Sequence, residues 1–173
     1  MPSIITPKER SPIGLIQEEL WENPHRTLVS VMMLNQTGSK AVRKVIWKFF
    51  EKWPDAKSLA EADENEVAKF ISPLGLQNRR AKLLRQMSVV YVHHQNIIEA
   101  AAREAALIKT ELDDKSEDFY NGWKIAGTLP GVGEYARDSY DIFVMRFIEV
   151  GHIYKDKELK RYVAWALERQ KTA

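Results

Sequence analysis

The stretch Leu129-Pro130-Gly131-Val132-Gly133-Glu134-Tyr135-Ala136 constrains this chain more than any other. Two glycines around one apolar residue permit a tight turn between helices, because glycine has no side chain and takes positive φ readily. Such a turn leaves unpaired backbone N–H groups at the start of the next helix, at the positive end of its dipole. That arrangement is an anion site suited to phosphate. A Gly-x-Gly by itself is shared by ordinary helix–helix turns. The leading Leu-Pro and the trailing Ala make this run more specific, and Asp156 supplies a carboxylate 23 residues beyond Gly133.

Helical periodicity dominates the rest. Val42, Val45, Ile46, Phe49, Phe50 and Trp53 share one face at helical spacing, and Pro54 stops that helix. Asp63-Glu64-Asn65-Glu66 resembles a capping box opening a short helix through Val67, Phe70 and Ile71, which ends at Ser72-Pro73. Leu83, Met87, Val90 and Tyr91 mark another amphipathic helix, and the Ala- and Glu-rich run from Ile97 to Leu112 extends it or forms a further one. Tyr140, Phe143, Val144 and Phe147 continue the helix after the glycine turn, and Leu159, Tyr162, Val163 and Ala166 stripe the last helix. No strand alternation and no internal repeat is present, so the predicted fold is all-α. Residues Met1 to Ser11 read as a loose arm and Lys109 to Glu117 as a surface turn.

A chain of 173 residues suits one compact domain or two small lobes sharing a core. Its 26 Lys and Arg against 24 Asp and Glu give a net charge of +2, too little to argue nucleic-acid binding from total charge. A local basic face is required instead. Arg79, Arg80, Lys82 and Arg85 form the densest cluster, with Lys40, Arg43 and Lys44 as a second. The absence of cysteine excludes disulfides, thiol nucleophiles and cysteine-ligated iron–sulfur or zinc sites. His25, His93, His94 and His152 lack zinc-ligand spacing, and the His93-His94 pair is expected at a solvated helix end. With no apolar run near the roughly 20 residues of a membrane span and no signal-peptide pattern, a soluble, intracellular protein is expected.

The glycine turn with its downstream aspartate resembles the helix-hairpin-helix motif of base-excision DNA glycosylases. The resemblance extends through Leu15-Ile16-Gln17-Glu18, Leu34-Asn35-Gln36-Thr37, Pro73-Leu74-Gly75-Leu76, Arg79-Arg80-Ala81-Lys82, Asp138-Ser139-Tyr140 and Asp156-Lys157-Glu158-Leu159. These segments cover about residues 13 to 170, in the order and at the spacing of the helix-hairpin-helix (HhH-GPD) superfamily. Within it the chain most resembles the thymine/uracil mismatch glycosylase domain that animals fuse to a methyl-CpG-binding domain. The resemblance implies a two-lobed fold with DNA across the cleft: a six-helix barrel over residues 27–150, and a second lobe from residues 1–26 and 151–173 carrying the catalytic aspartate. It also implies a monomer acting on double-stranded DNA in the nucleus or a nucleoid-associated cytoplasm. No cofactor is expected, although the hairpin leaves room for a monovalent cation.

The site residues follow from the same resemblance. Alone, Asp156 before an apolar helix reads as an N-cap; beside the hairpin it is the expected catalytic carboxylate, and the two roles are compatible. Tyr135 stands where bifunctional relatives carry a nucleophilic lysine, which implies a monofunctional enzyme in which Tyr135 joins Asp156 as a catalytic residue and faces an extruded base. Gln17 aligns with a glutamine that reads the pyrimidine edge, its amide supplying donor and acceptor. Gln36 and Leu76 align with wedge residues that fill the gap left by the flipped base, Leu76 on an exposed turn. Gly131, Gly133, Arg79 and Arg80 are the expected phosphate contacts. Glu158 replaces a lysine found near the site in similar chains and makes the local field less positive. Readings left open are a glycosylase for another lesion, such as adenine opposite 8-oxoguanine or an alkylated base, and a non-catalytic DNA-binding module.

Overall fold

The computed structural model describes residues 3–108 and 115–172. Along the chain, β1 is Ser3–Ile5, α1 Gln17–Leu20, α2 Pro24–Leu34, α3 Ser39–Lys52, α4 Ala56–Ala60 and α5 Glu64–Ile71. A 3-10 turn at Ser72–Leu74 leads into α6, Gln77–Ala106. Then come α7, Glu117–Gly127; α8, Glu134–Phe143; β2, Phe147–Glu149; and α9, Lys157–Thr172. Most of the expected Lys109–Glu117 turn lies outside the described residues.

Several helix starts are set by short polar side chains that satisfy free N–H groups of the first turn. Asn23 accepts from Arg26 N before α2, with Pro24 at the first helical position, and Asp63 accepts from Glu66 N before α5. The reciprocal capping box is found one helix earlier, at Asp55 and Ser58. Glu66, expected to close such a box at Asp63, instead forms an ion pair with Lys52.

The 30-residue α6 is the spine, with α2, α4, α5 and α7 packed on it. Its buried stripe runs through Ala81, Leu84, Met87, Tyr91, Ile98, Ala101 and Ala105. The apolar residues of Ile97 to Leu112 therefore extend the preceding helix as far as Ala106. α7 approaches this end very closely: a Cβ added at Gly122 would lie 2.4 Å from the Ile97 carbonyl oxygen. Only glycine fits there, which accounts for how α7 covers the end of the long helix. His93 and His94 are exposed, but in mid-helix rather than at an end.

Buried apolar residues form two clusters. The larger gathers α2 to α7 around Phe49, Leu84, Met87, Tyr91 and Phe119. The smaller joins Leu15, Ile142, Phe143, Ile148, Tyr154, Leu159, Tyr162, Val163 and Ala166. α8 belongs to both, giving Tyr140 to one and Ile142 and Phe143 to the other. Among the described residues the fold is all-α apart from one two-stranded antiparallel ribbon that pairs Ser3 with Glu149, Ile4 with Ile148 and Ile5 with Phe147.

That ribbon corrects two expectations. The hairpin's second helix does not continue to Phe147; it ends at Phe143, and Arg146 adopts positive φ (66°) before the strand. Nor is the N-terminal arm loose over its described residues. Thr6 Oγ1 donates to Ile142 O at 2.6 Å, and the buried Arg146 guanidinium donates to Thr6 O and Pro7 O. Further on, the Glu18 carboxylate accepts from Ser11 N, Ser11 Oγ and Leu15 N.

Two titrating groups, the buried His25 and the half-buried Asp141, drive stability in opposite directions with pH. Burial raises the Asp141 carboxyl from 3.8 to about 7, although Trp123 Nε1 donates to it at 2.6 Å. Folded protein thus keeps a proton that unfolded chain has lost, and stability falls as pH rises through that window. Burial lowers His25 from 6.5 to about 4, so the unfolded chain protonates first and stability falls on acidification. Asp141→Asn removes the first trend only. Its stability relative to wild type should rise by on the order of 3 kcal/mol between pH 4.5 and 7.5, checked by urea unfolding at both values.

Candidate active site

Three elements distant in sequence bring Gln17, Tyr135 and Asp156 together. Asp156 precedes α9, and its Oδ1 accepts from Glu158 N and Leu159 N, both at 2.9 Å. The N-cap reading is therefore correct, and it leaves Oδ2 without a hydrogen bond among the described residues. Tyr135, in the first turn of α8, is pushed up to about 12, first by burial and then by the negative charge of Asp156. Glu158 raises it further, while itself pairing with Arg161 at 2.9 Å.

Gln17 opens α1 and is only 2% exposed. Its Nε2 donates to the Tyr135 hydroxyl at 3.1 Å and lies 3.5 Å from Ser139 Oγ. Its Oε1 is buried with no hydrogen-bond partner among the described residues. A buried amide acceptor left unpaired costs about 1–3 kcal/mol, so Gln17 Oε1 is free to accept from a donor outside the chain's described residues. Ser139 was not singled out as a site residue from sequence. Its signal is position: it lies four residues after Tyr135, on the same face of α8.

A second face of α8 holds the loop that leads to Asp156. Asp138 Oδ1 meets His152 Nε2 at 3.0 Å, and Glu134 Oε2 accepts from Lys155 Nζ at 2.8 Å. Asp138 is buried, which raises its carboxyl above the usual range despite His152. The loop is closed on itself by Glu149 N donating to the Tyr154 hydroxyl. One helix thus fixes the Gln17–Tyr135 pair and the loop that carries Asp156 together.

The expected wedge and hairpin residues meet elsewhere, around a cavity of about 400 Å³. Gln36, Leu76, Arg79, Leu83, Gly131, Val132 and Gly133 line it. Gln17, Tyr135 and Asp156 do not. Leu76 is 56% exposed, as its turn implied. The hairpin turn closes with Val132 N donating to Leu129 O at 3.0 Å. Gly131 has φ +78°, whereas Gly133 lies in extended backbone as the residue before α8, with no side-chain cap on the helix N–H groups.

Arg80 departs from its expected role. It is 7% exposed and donates to Leu74 O, Gly75 O, Asn35 O and Thr37 Oγ1, so its fork is spent inside the protein rather than on phosphate. Arg85 is also engaged, with Glu64 and Ala60 O. Arg79 and Lys82 are exposed. Among the described residues, no group of three or more His, Asp or Glu could hold a metal ion, and no helix is long and apolar enough to cross a membrane.

A family model described as "HhH-GPD superfamily base excision DNA repair protein" matches residues 29–170. The chain belongs to this superfamily. Among its relatives, a methyl-CpG-binding domain protein 4-like protein of Arabidopsis thaliana is 34% identical over 134 residues, 78% of this chain and 24% of the relative. A thymine-DNA glycosylase of Aeropyrum pernix is 37% identical over 71 residues, 39% of this chain and 32% of the relative. An adenine DNA glycosylase of Schizosaccharomyces pombe is 32% identical over 136 residues, 76% of this chain and 24% of the relative. This member of the superfamily therefore spans a third or less of those relatives' length. The solved structure of a thermostable thymine-DNA glycosylase superposes with a TM-score of 0.52 at 23% identity, over 72% of this chain and 49% of that one, which shows a shared fold.

Proposed function

We propose that this HhH-GPD protein is a monofunctional DNA glycosylase that hydrolyses the N-glycosidic bond of a flipped thymine or uracil mispaired with guanine. The observation that carries the reading is the hydrogen-bonded Gln17–Tyr135 pair beside Asp156, with Gln17 buried and its Oε1 unpartnered among the described residues. A pyrimidine N3–H would satisfy that acceptor, and the amide and phenol hydroxyl would serve its O2 and O4. As the bond breaks the sugar gains oxocarbenium character, which a fixed carboxylate stabilises more than the neutral ground state. Asp156 would supply it: its Oδ1 is anchored by the helix N-terminus, which leaves Oδ2 for the sugar or the attacking water.

Tyr135 cannot form a Schiff base, so the expected product is an intact abasic strand. DNA would be gripped by the hairpin N–H groups and by Arg79, with Gln36 and Leu76 entering the stack. Leu129 O and Gly133 O each accept one backbone bond and keep a second lone pair, so hairpin carbonyls fit a monovalent cation that would offset phosphate charge. The protein would act as a monomer.

Gln17→Ala tests the reading. It should slow pyrimidine release by about tenfold under single turnover while leaving affinity for abasic-site DNA nearly unchanged, since the product has no base to read. In the same assay wild-type product should break only after alkali, and borohydride should trap little enzyme–DNA adduct. Normal release by Gln17→Ala would remove the glutamine from base reading; efficient trapping would end the monofunctional assignment.

A further inference from the structure

Gln36 and Leu76 are two of the three non-glycine residues with positive φ among the described residues, at 63° and 50°. The left-handed region costs such residues about 1–2 kcal/mol each and persists only where the surroundings impose it. Arg80 is what imposes it at both places. Its Nη2 donates to Asn35 O at 2.5 Å and to Thr37 Oγ1 at 2.6 Å, the residues on either side of Gln36. Its Nη1 donates to Leu74 O at 2.9 Å and Gly75 O at 3.0 Å, the two residues before Leu76. The Thr37 hydroxyl closes the set by donating to Leu74 O at 3.4 Å.

A guanidinium is planar and rigid, so four acceptors on one fork fix the distance between the two turns as well as the shape of each. Lysine carries the charge but not the fork. None of the four acceptors is a carboxylate, so Arg80 is a buried cation held by neutral oxygens. The two turns open on the same cavity as the hairpin.

We propose that Arg80 is the positioning residue for base extrusion: it joins Gln36 and Leu76 into a single rigid two-pronged wedge. This rests on the glycosylase reading. Opening a stacked base costs a few kcal/mol, and a wedge that needs no ordering on contact supplies more of it than two independent loops. Arg80 then acts before the chemistry, on substrates that must be unpaired, and not on the bond that breaks.

The test compares single-turnover uracil release from two duplexes, one with uracil opposite guanine and one with uracil opposite an abasic site, already unpaired. Arg80→Met and Arg80→Lys should both be slowed by about tenfold or more on the paired duplex, and change by less than about twofold on the unpaired one. Thr37→Val, which removes one acceptor and the Leu74 bond, should shift the same ratio by about threefold; it carries the test if the Arg80 variants do not fold. The slope of binding against salt should stay that of wild type in all three variants. Equal slowing on both duplexes, or Arg80→Lys behaving as wild type with a changed salt slope only for Arg80→Met, would overturn the proposal. Wild type that releases uracil from neither duplex would instead overturn the glycosylase reading on which it rests.

Discussion

Asp156→Asn is expected to lower single-turnover base release by roughly two or more orders of magnitude, a loss of at least about 2.7 kcal/mol of transition-state stabilisation. The substitution is unusually clean. Asparagine caps helices as well as aspartate does, and its Oδ1 can keep both bonds that Asp156 makes, to Glu158 N and Leu159 N. The fold therefore loses only the interaction of one charge with the α9 dipole, about 0.3–1 kcal/mol. Binding to lesion DNA should survive, because a carboxylate proposed to face the sugar would repel phosphate rather than hold it. Parallel measurement of melting temperature, affinity and rate checks this, and near-normal turnover with intact binding would remove Asp156 from the mechanism.

The hairpin glycines are expected to separate stability from grip. Gly131 has φ +78°, and an added Cβ would lie 2.6 Å from Met32 Cε and 3.3 Å from Leu83 Cβ. Gly131→Ala forces alanine into the left-handed region and displaces a buried methionine, so a loss of about 2 kcal/mol is expected in urea unfolding. Gly133 is different. Its backbone is extended and a Cβ there meets nothing within 4 Å, so Gly133→Ala should unfold at the wild-type denaturant concentration. What it should lose is DNA affinity, by several-fold and equally across sequences, because the added methyl stands where phosphate would approach the α8 N–H groups. Unchanged affinity in Gly133→Ala would place the DNA elsewhere.

Much of this was legible in the sequence because the signals are local. Caps, prolines and the glycine turn act within a few residues, so the hairpin, the start of α5 and the Asp156 cap follow from spacing alone. The exposure of Leu76 followed from its turn in the same way. The ribbon was not legible, since strands of three residues carry no alternation, and their pairing joins positions more than 140 residues apart. Nor was the role of Arg80. A basic run on a helix reads as a solvated face, and nothing within the run shows that two turns 40 residues apart place carbonyls around one of its members. The same limit hid Ser139 and the Asp138–His152 pair, whose partners come from other elements.

The central question is whether the Gln17–Tyr135 pair and Asp156 release a pyrimidine from a mismatch. The direct measurement is base release from duplexes that each carry one lesion: G·U, G·T, A·U, adenine opposite 8-oxoguanine, and an alkylated base, with abasic sites revealed by alkali. The account predicts abasic strands from G·U and G·T, formed faster than from A·U because a mismatch costs less to unpair. Release of adenine alone, or of no base from any duplex, would contradict it.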